Sequence, residues 1–375
     1  MNQDYVAGQP KQPLYLQIFN RLVEQISTGV FPPGSKLPSE KELADEYGVS
    51  RITSKKAMDT LAANGYISRT PGRGTFVLNR SGDFSQPGSI AEGPKLIGVV
   101  MEKFSPSFGG DLILGIEREC TRLGYTMALR FSYHNKTAEE TAIAQLLELG
   151  VAGLIVMCVY DETYNPLILK LSLENFPVVL VDRELSGIPL PCVTTDNRMA
   201  AQRLTDTLFE RGHRRLSFAV GKNSFQTSTV GERSQGFIQS CMNHGEMVDR
   251  SKWVTGLTSQ DGDFTKEEEE RLRRADVAVL KRFMMTHPEI TGYLAASYSV
   301  AELCQQADEE CGSPTGMPRC IACFDAPEMV SMAKPLIHIR QNQTEIGKIA
   351  VQHLIGRIQN KQLPRITYVD FELVT

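Results

Sequence analysis

Six short apolar runs recur beyond residue 95: LIGVVM (96–101), YTMALRF (125–131), GLIVM (153–157), PVVLVD (177–182), RLSFAV (215–220) and GYLAA (292–296). Amphipathic stretches with helical spacing lie between them, such as 112–123, 138–149, 197–211 and 230–243. Strand and helix alternating at this interval means parallel sheet with helices on both faces. One such sheet does not use up 280 residues, so two lobes are expected.

The stretch before it has a different grammar. Residues 79–94, NRSGDFSQPGSIAEGP, are rich in Gly, Ser and Pro and read as a linker. They set off a module at 1–78 from one at 95–375. In the first module, helical spacing of Tyr15, Phe19, Leu22, Val23 and Ile26 predicts a helix that Gly29 ends. Ser39 opens S-E-K-E, a capping box, and Gly48 can take the left-handed conformation that stops that helix. Ser50 caps a third helix running to about Asn64. Two extended runs around T-P-G-R-G then predict a hairpin.

Charge separates the two modules. Residues 1–80 hold ten Lys and Arg against seven Asp and Glu, a net of +3, whereas residues 81–375 hold thirty against thirty-seven, a net of −7. An anionic partner is expected for the first module alone. On the third helix, Ser54, Ala57, Met58 and Leu61 follow core spacing, which turns Arg51, Ile52, Lys55, Lys56 and Asp59 outward. A short helix, a tight glycine turn and a second helix with cations at its exposed start is helix-turn-helix geometry, which presents that start to the major groove. Arg69 and Arg73 flank the hairpin tip, where a narrow cationic loop can enter a minor groove. Each cation alone would be an ordinary solvated side chain; cap, turn, helix and hairpin together are not.

FPPGSKLPSEKELADEYGVSRITSKKAMDTLAANGYISRTPGRGTFV resembles the winged helix-turn-helix of GntR-family transcription regulators over about residues 12–78. The resemblance implies DNA contacts at Lys41, Arg51, Thr53, Lys55 and the tip Gly72–Arg73–Gly74. Lys stands where that family usually has Arg at 41 and 55, which favours phosphate over bidentate base contact there.

In open α/β sheets ligands bind beyond the carboxyl ends of the strands. The residues there include Glu102, Lys103, Ser105, Phe108, Tyr133, Asp182, Arg183, Arg233, Ser297, Tyr298, Asp325 and Gln341. Paired donors and acceptors with a few aromatic faces suit a sugar. The segments PVVLVDRELSGIPLPCVTTDNRMAAQRL, ERSQGF, ACFDAP and PLIHIRQNQTEIGKIAVQHLIGRI are similar to the effector domain of LacI/GalR-type repressors, itself like periplasmic sugar-binding proteins. That resemblance implies effector contacts at Arg233, Asp325, Gln341, Asp182 and Phe108. The family usually has Asn-Asp where this chain has Ser297–Tyr298. The pairing of the two modules resembles the arabinose-responsive repressors.

The expectation is therefore an α/β chain with an N-terminal winged helix-turn-helix and a two-lobed, periplasmic-binding-protein-like domain of parallel sheets. It would be a homodimeric, cytoplasmic repressor of sugar-use genes, held on double-stranded operator DNA and released by a small molecule. A non-sugar effector such as a nucleoside, or activation by ligand, stays open.

No cofactor, metal or membrane partner is expected. No apolar run reaches the roughly 18 residues of a membrane span, and the N-terminus lacks a secretory pattern. G-x-x-x-x-G-K-[ST], G-x-S-x-G and G-x-G-x-x-G are absent, so no enzyme is expected. Cys320-Ile-Ala-Cys323 has no second pair and reads as buried strand thiols. Glu267–Glu270 reads as a solvated helix start. His213 reads as a helix C-cap. No internal repeat is visible.

Overall fold

Three helices and a hairpin form from strong local signals in the N-terminal module. The computed structural model describes residues 14–27, 29–32, 34–63, 66–70, 74–77, 95–103, 105, 107–159, 165–259, 262, 264–312, 318–327 and 336–375. Contacts divide the chain into 1–90 and 91–375. Helix α1 spans Leu14–Ser27, α2 Glu40–Tyr47 and α3 Arg51–Ala63. Ser39 and Glu42 close a reciprocal box: Ser39 N–H donates to Glu42 Oε2 at 2.7 Å, and Glu42 N–H to Ser39 Oγ at 3.2 Å. Those bonds from Ser39 hold the Glu42 carboxyl below its ordinary range. Gly48 ends α2 at φ 61°. Ser54, Ala57, Met58 and Leu61 are all at most 1% exposed, and Ser54 Oγ donates to Glu40 O at 2.7 Å, tying α3 to the start of α2. Strands β1 (Ile67–Thr70) and β2 (Gly74–Val77) pair antiparallel, with Lys36 bridged to Phe76 alongside. The linker expected at 79–94 lies outside the described residues.

The second unit runs β3 (Leu96–Met101), α4 (Gly110–Arg122), β4 (Thr126–Phe131), α5 (Lys136–Glu148), β5 (Gly153–Val156), α6 (Pro166–Leu173), β6 (Val178–Val181) and β7 (Cys192–Thr195). It continues α7 (Asn197–Glu210), β8 (Leu216–Gly221), α8 (Ser228–Asn243), β9 (Val254–Leu257), α9 (Lys266–Thr286), β10 (Gly292–Ala295) and α10 (Tyr298–Cys311). It closes with β11 (Cys320–Phe324), β12 (Ile337–Gln341), α11 (Gln343–Ile358), β13 (Ile366–Val369) and β14 (Phe371–Val374). Two six-stranded sheets result, ordered β13-β7-β6-β5-β3-β4 and β14-β12-β11-β10-β8-β9. All neighbours are parallel except β12 and β14. The five leading strands of each lobe follow one permutation, so the fold repeats although no repeat is visible in the sequence. Helix α7 packs on the second sheet and α11 on the first. The chain therefore crosses between lobes at residues 196, 342 and 370. The first two crossings end on helix caps: Asp196 Oδ1 accepts Met199 N–H at 2.9 Å, and Asn342 Oδ1 accepts Glu345 N–H at 3.2 Å.

All six expected runs are strands. The unanticipated ones are short and placed where alternation or apolarity is weak: β7 reads CVTT, β9 VTGL, and β13 and β14 are four residues each. Cys320 and Cys323 lie on β11 as free thiols, with burial pushing Cys323 well above its ordinary range. His213 does not cap α7 with its ring: Nδ1 pairs with Thr291 Oγ1 at 2.9 Å, and its backbone N–H reaches Leu208 O instead. Among the described residues no helix is long and apolar enough to cross a membrane.

Helices α4 and α11 meet at two glycines. A Cβ on Gly115 would lie 2.2 Å from Thr344 O, and one on Gly347 2.3 Å from Leu112 O. Both obstacles are backbone, so they cannot rotate away. Gly347→Ala is expected to cost about 1–3 kcal/mol of stability by forcing the helices apart. Gly231→Ala, where an added Cβ meets nothing within 4 Å, should be neutral or slightly stabilising. Urea midpoints separate the two; equal midpoints would show that the α4–α11 contact relaxes freely.

Candidate nucleic-acid interface and ligand cleft

The start of α3 is built as an exposed cationic edge. Ser50 Oγ accepts Thr53 N–H at 3.2 Å and shares a 2.9 Å hydrogen bond with Thr53 Oγ1. Thr53 thus helps cap the helix that carries it and is half-buried. Arg51, Lys55 and Lys56 are exposed on α3, as is Lys41 on α2. The Lys56 ammonium lies 4.1 Å from the centre of the Tyr15 ring, which fixes it at one side. Arg69 does not stand free for a groove: it pairs with Asp59 at 2.8 Å and Glu40 at 3.3 Å, binding the wing to both helices. Gly74 adopts φ 116°, with the Lys36 side chain packed against its α-carbon. Gly72 and Arg73 lie outside the described residues.

In the second unit the strand ends of both lobes face a cleft of about 420 Å³. Phe108, Asp182, Arg183, Arg233, Ser297, Asp325 and Gln341 all line it. Tyr133 does not. It is 49% exposed and its ring rests near Phe131, whereas His134 lines the cleft. Both residues have positive φ, 49° and 58°. That left-handed turn after β4 sends the second residue inward, which strand alternation alone does not foretell.

Two aspartates hold equivalent places. Asp182 follows β6 and Asp325 follows β11, the fourth strand of each lobe, at φ 65° and 60°. Each N–H donates to the fifth strand, to Val193 O at 3.0 Å and Ile339 O at 2.8 Å. Both are 8% exposed. Burial raises both carboxyls; at Asp325 it outweighs Arg233 and Gln341 and lifts the value to about 6.

The two cleft arginines differ sharply. Arg183 Nη1 donates to Cys158 O at 3.0 Å and Val159 O at 2.9 Å, and Nη2 to Glu102 Oε2 at 2.6 Å. Glu102 Oε1 pairs with His134 Nδ1 at 2.6 Å. Burial works to raise the Glu102 carboxyl, but Arg183 and His134 outweigh it and hold it at about 2. Arg183, which also lies 3.5 Å from Asp182 Oδ2, therefore braces the ends of β3, β5 and β6, and Glu102 extends the link to His134 after β4. Arg233 Nε donates to Asn197 Oδ1 at 2.7 Å and Nη1 to Ala296 O at 2.7 Å, and its guanidinium lies 3.7 Å from the Phe324 ring centre. Among the described residues no carboxylate lies within ion-pair distance of it. Gln341 Nε2 donates to Asp325 Oδ2 at 2.6 Å, while its buried Oε1 accepts nothing from the described residues. Ser297 Oγ caps α10 by accepting Val300 N–H at 3.4 Å, and Tyr298 is 3% exposed against the core of the second lobe.

The model for periplasmic binding proteins and the sugar binding domain of the LacI family matches residues 94–312. The chain belongs to that family. Residues 14–77 match the model for bacterial regulatory proteins of the gntR family. A GntR-type reader on a LacI-type ligand domain makes the chain a DNA-binding transcription regulator. It is 25% identical over 360 residues to an arabinose metabolism transcriptional repressor of Geobacillus stearothermophilus, covering 94% of this chain and 93% of the relative. It is 26% identical over 261 residues to one of Halalkalibacterium halodurans, covering 69% and 68%. The solved transcriptional regulator CelR–cellobiose complex shares the fold at TM-score 0.64 and 18% identity, covering 90% of this chain and 99% of that one.

Two residues of this LacI-type domain escaped sequence reasoning. Asn197, first in α7 after a lobe crossing, orients Arg233 and donates to Thr195 O at 3.0 Å. Thr194 Oγ1 in turn donates to Asp182 O at 2.7 Å. A hydrogen-bonded chain thus runs from Arg233 through the crossing to the opposite lobe. The D-N pair after CVTT is its signal in the sequence. Gln343 pins the Phe108 loop, accepting Gly109 N–H at 2.8 Å and donating to Ser107 O at 3.0 Å.

Asp325 gives a pH signature. Its carboxyl rises from 3.8 to about 6 on folding, so the folded state holds the proton more tightly. That contribution is complete below about pH 4 and is lost as pH rises through about 6. Wild type should lose more stability than Asp325→Asn between about pH 4 and 7, by up to about 3 kcal/mol. Urea unfolding at both pH values measures it, and parallel pH slopes would refute the raised carboxyl.

Proposed function

We propose that the chain is a sugar-responsive transcriptional repressor, active as a homodimer in the cytoplasm, and that ligand in the cleft releases it from operator DNA. The observation that carries this reading is Arg233, a buried cation held by two neutral oxygens and flanked by Asp182, Asp325 and the open acceptor of Gln341. Unfilled donors beside carboxylates and an amide oxygen match a hydroxyl, which both donates and accepts. A neutral polyol keeps the charge balance of the cleft, and Phe108 and Phe324 offer apolar faces for a ring. The names of the relatives from Geobacillus stearothermophilus and Halalkalibacterium halodurans make arabinose the first sugar to try.

In this reading DNA contacts come from Lys41, Arg51, Thr53, Lys55 and the wing tip. Effector contacts come from Phe108, Asp182, Arg233, Asp325 and Gln341, with Arg183 bracing the first lobe and Ser297 capping α10. Ligand that binds the closed lobes better than the open ones shifts the population toward closure. The Asn197 link carries that bias to a lobe crossing. In a dimer the spacing of two readers must match the groove repeat, so a shift in spacing lowers affinity. The ligand leaves unchanged.

Thermal unfolding against pentoses, hexoses, sugar phosphates and nucleosides tests the ligand class. A ligand at one hundred times its Kd should stabilise the protein by about 2.7 kcal/mol. A shift with nucleosides alone would keep the regulator and replace the sugar; no shift with any compound would remove the sensor role. Arg51→Ala should lose specific DNA binding and keep the ligand-induced shift, and Arg233→Ala should do the reverse. Release of Arg233→Ala from DNA at the wild-type ligand concentration would place the site elsewhere.

A further inference from the structure

Among the cationic side chains at the start of α3 stands one large apolar residue. Ile52 is 81% exposed, far more than its helix propensity or any packing requires. Its i−1, i+3 and i+4 neighbours are Arg51, Lys55 and Lys56, all exposed. Residues at i+3 and i+4 share a face, so the butyl group sits inside a patch of positive charge. Cap and core fix its aim: Ser50 sets the first turn, and Ser54, Ala57, Met58 and Leu61 bury the opposite face. A surface complementary to this patch would have to be anionic around an apolar centre. Duplex DNA offers that arrangement in its major groove, where phosphates flank the base edges and thymine alone carries a methyl group.

We infer that Ile52 is a specificity-determining residue that reads a thymine C5-methyl in the major groove. The inference rests on the DNA-reading role of α3. The cations bring affinity without sequence preference, because phosphates are the same at every step. Ile52 has no donor or acceptor, so it discriminates by apolar contact only. A cytosine at that step has no methyl, and a purine edge presents polar atoms to a side chain that cannot pair with them.

Selection supplies the operator for the test. Full-length wild type selects sites from a double-stranded library with a randomised core. Each thymine of the enriched site is then replaced by deoxyuridine, which removes only the methyl, and Kd is measured for wild type and Ile52→Ala. Exposure at this position means that Ile52→Ala folds as wild type does, which its melting curve checks. At one thymine per half-site, loss of the methyl should weaken wild type about four-fold and leave Ile52→Ala unchanged. The salt dependence of binding should be equal for both proteins, since no phosphate contact is lost. Equal methyl effects in the two proteins at every thymine, or none, would overturn the assignment of Ile52 and leave DNA reading intact. Failure of wild type to enrich any site would overturn the DNA-reading role itself, and Ile52 with it.

Discussion

A guanidinium buried to 7% exposure and held by an amide oxygen and a backbone carbonyl is an expensive arrangement. Water solvates such a cation better than two neutral acceptors do, and burial accordingly lowers the Arg233 pKa. The cation is kept charged by Asp325 and Asp182, which attract it without touching it. Phe324 adds its ring face at 3.7 Å. Burial works to raise both carboxyls; Asp325 is opposed first by Arg233, whereas Asp182 is opposed first by Arg183, 3.5 Å away, and then by Arg233. The three groups therefore form one electrostatic unit, in which Arg233 bonds directly to two neutral oxygens among the described residues. The proposed ligand site rests on that cation having no directly paired carboxylate. Arg183 and Glu102, 2.6 Å apart in the same cleft, show the alternative of a direct ion pair.

Where the unit sits follows from topology. The two lobes are built on sheets that are parallel apart from β14, so polar residues at the ends of the parallel strands converge on the cleft from both sides. The repeated strand order places Asp182 and Asp325 at matching positions, and both adopt a left-handed backbone that Asp tolerates better than most residues. Arg233 comes from α8 of the second lobe and reaches the crossing through Asn197. Any group that rearranges Arg233 acts on Asn197, the residue that follows the first crossing. Ser228 Oγ, accepting Glu184 N–H at 3.0 Å, is a second polar link between the lobes close by.

Much of this is legible in the residues, and the failures have physical causes. The core face of α3 follows from 3.6-residue periodicity because the helix is short, capped and packed on one side. The strands are visible wherever a run is apolar throughout; β7 is not, because it ends in two threonines, of which Thr194 is buried by donating to Asp182 O. Strand-end reasoning gathers many of the charged and amide groups of the cleft, such as Glu102, Asp182, Arg183, Asp325 and Gln341. It cannot tell Arg183 from Arg233, since the difference lies in what each guanidinium already holds. Tyr133 and His134 exchange places because two successive positive φ angles override alternation. Arg69 looks like a groove contact by position, but Glu40 and Asp59, about thirty and ten residues earlier, neutralise it in space. Lobe repetition is invisible in the sequence because what repeats is burial and order, not residue identity.

The two units obey opposite rules for charge. In the first, Arg51, Lys55 and Lys56 stay exposed at a helix start, where solvent screens each of them. Their contribution is screened by salt and carries little sequence information. In the cleft of the second, the charges of Glu102, Asp182, Arg233 and Asp325 are largely dehydrated, so a change in geometry alters their balance strongly. In the proposed reading, Lys in place of Arg at positions 41 and 55 suits contacts to phosphate, which need charge but no planar fork. The same exchange at Arg233 would lose either the Asn197 or the Ala296 hydrogen bond, since one ammonium cannot reproduce a planar fork held at two fixed points. The different demands on charge in the two units follow from where water is excluded.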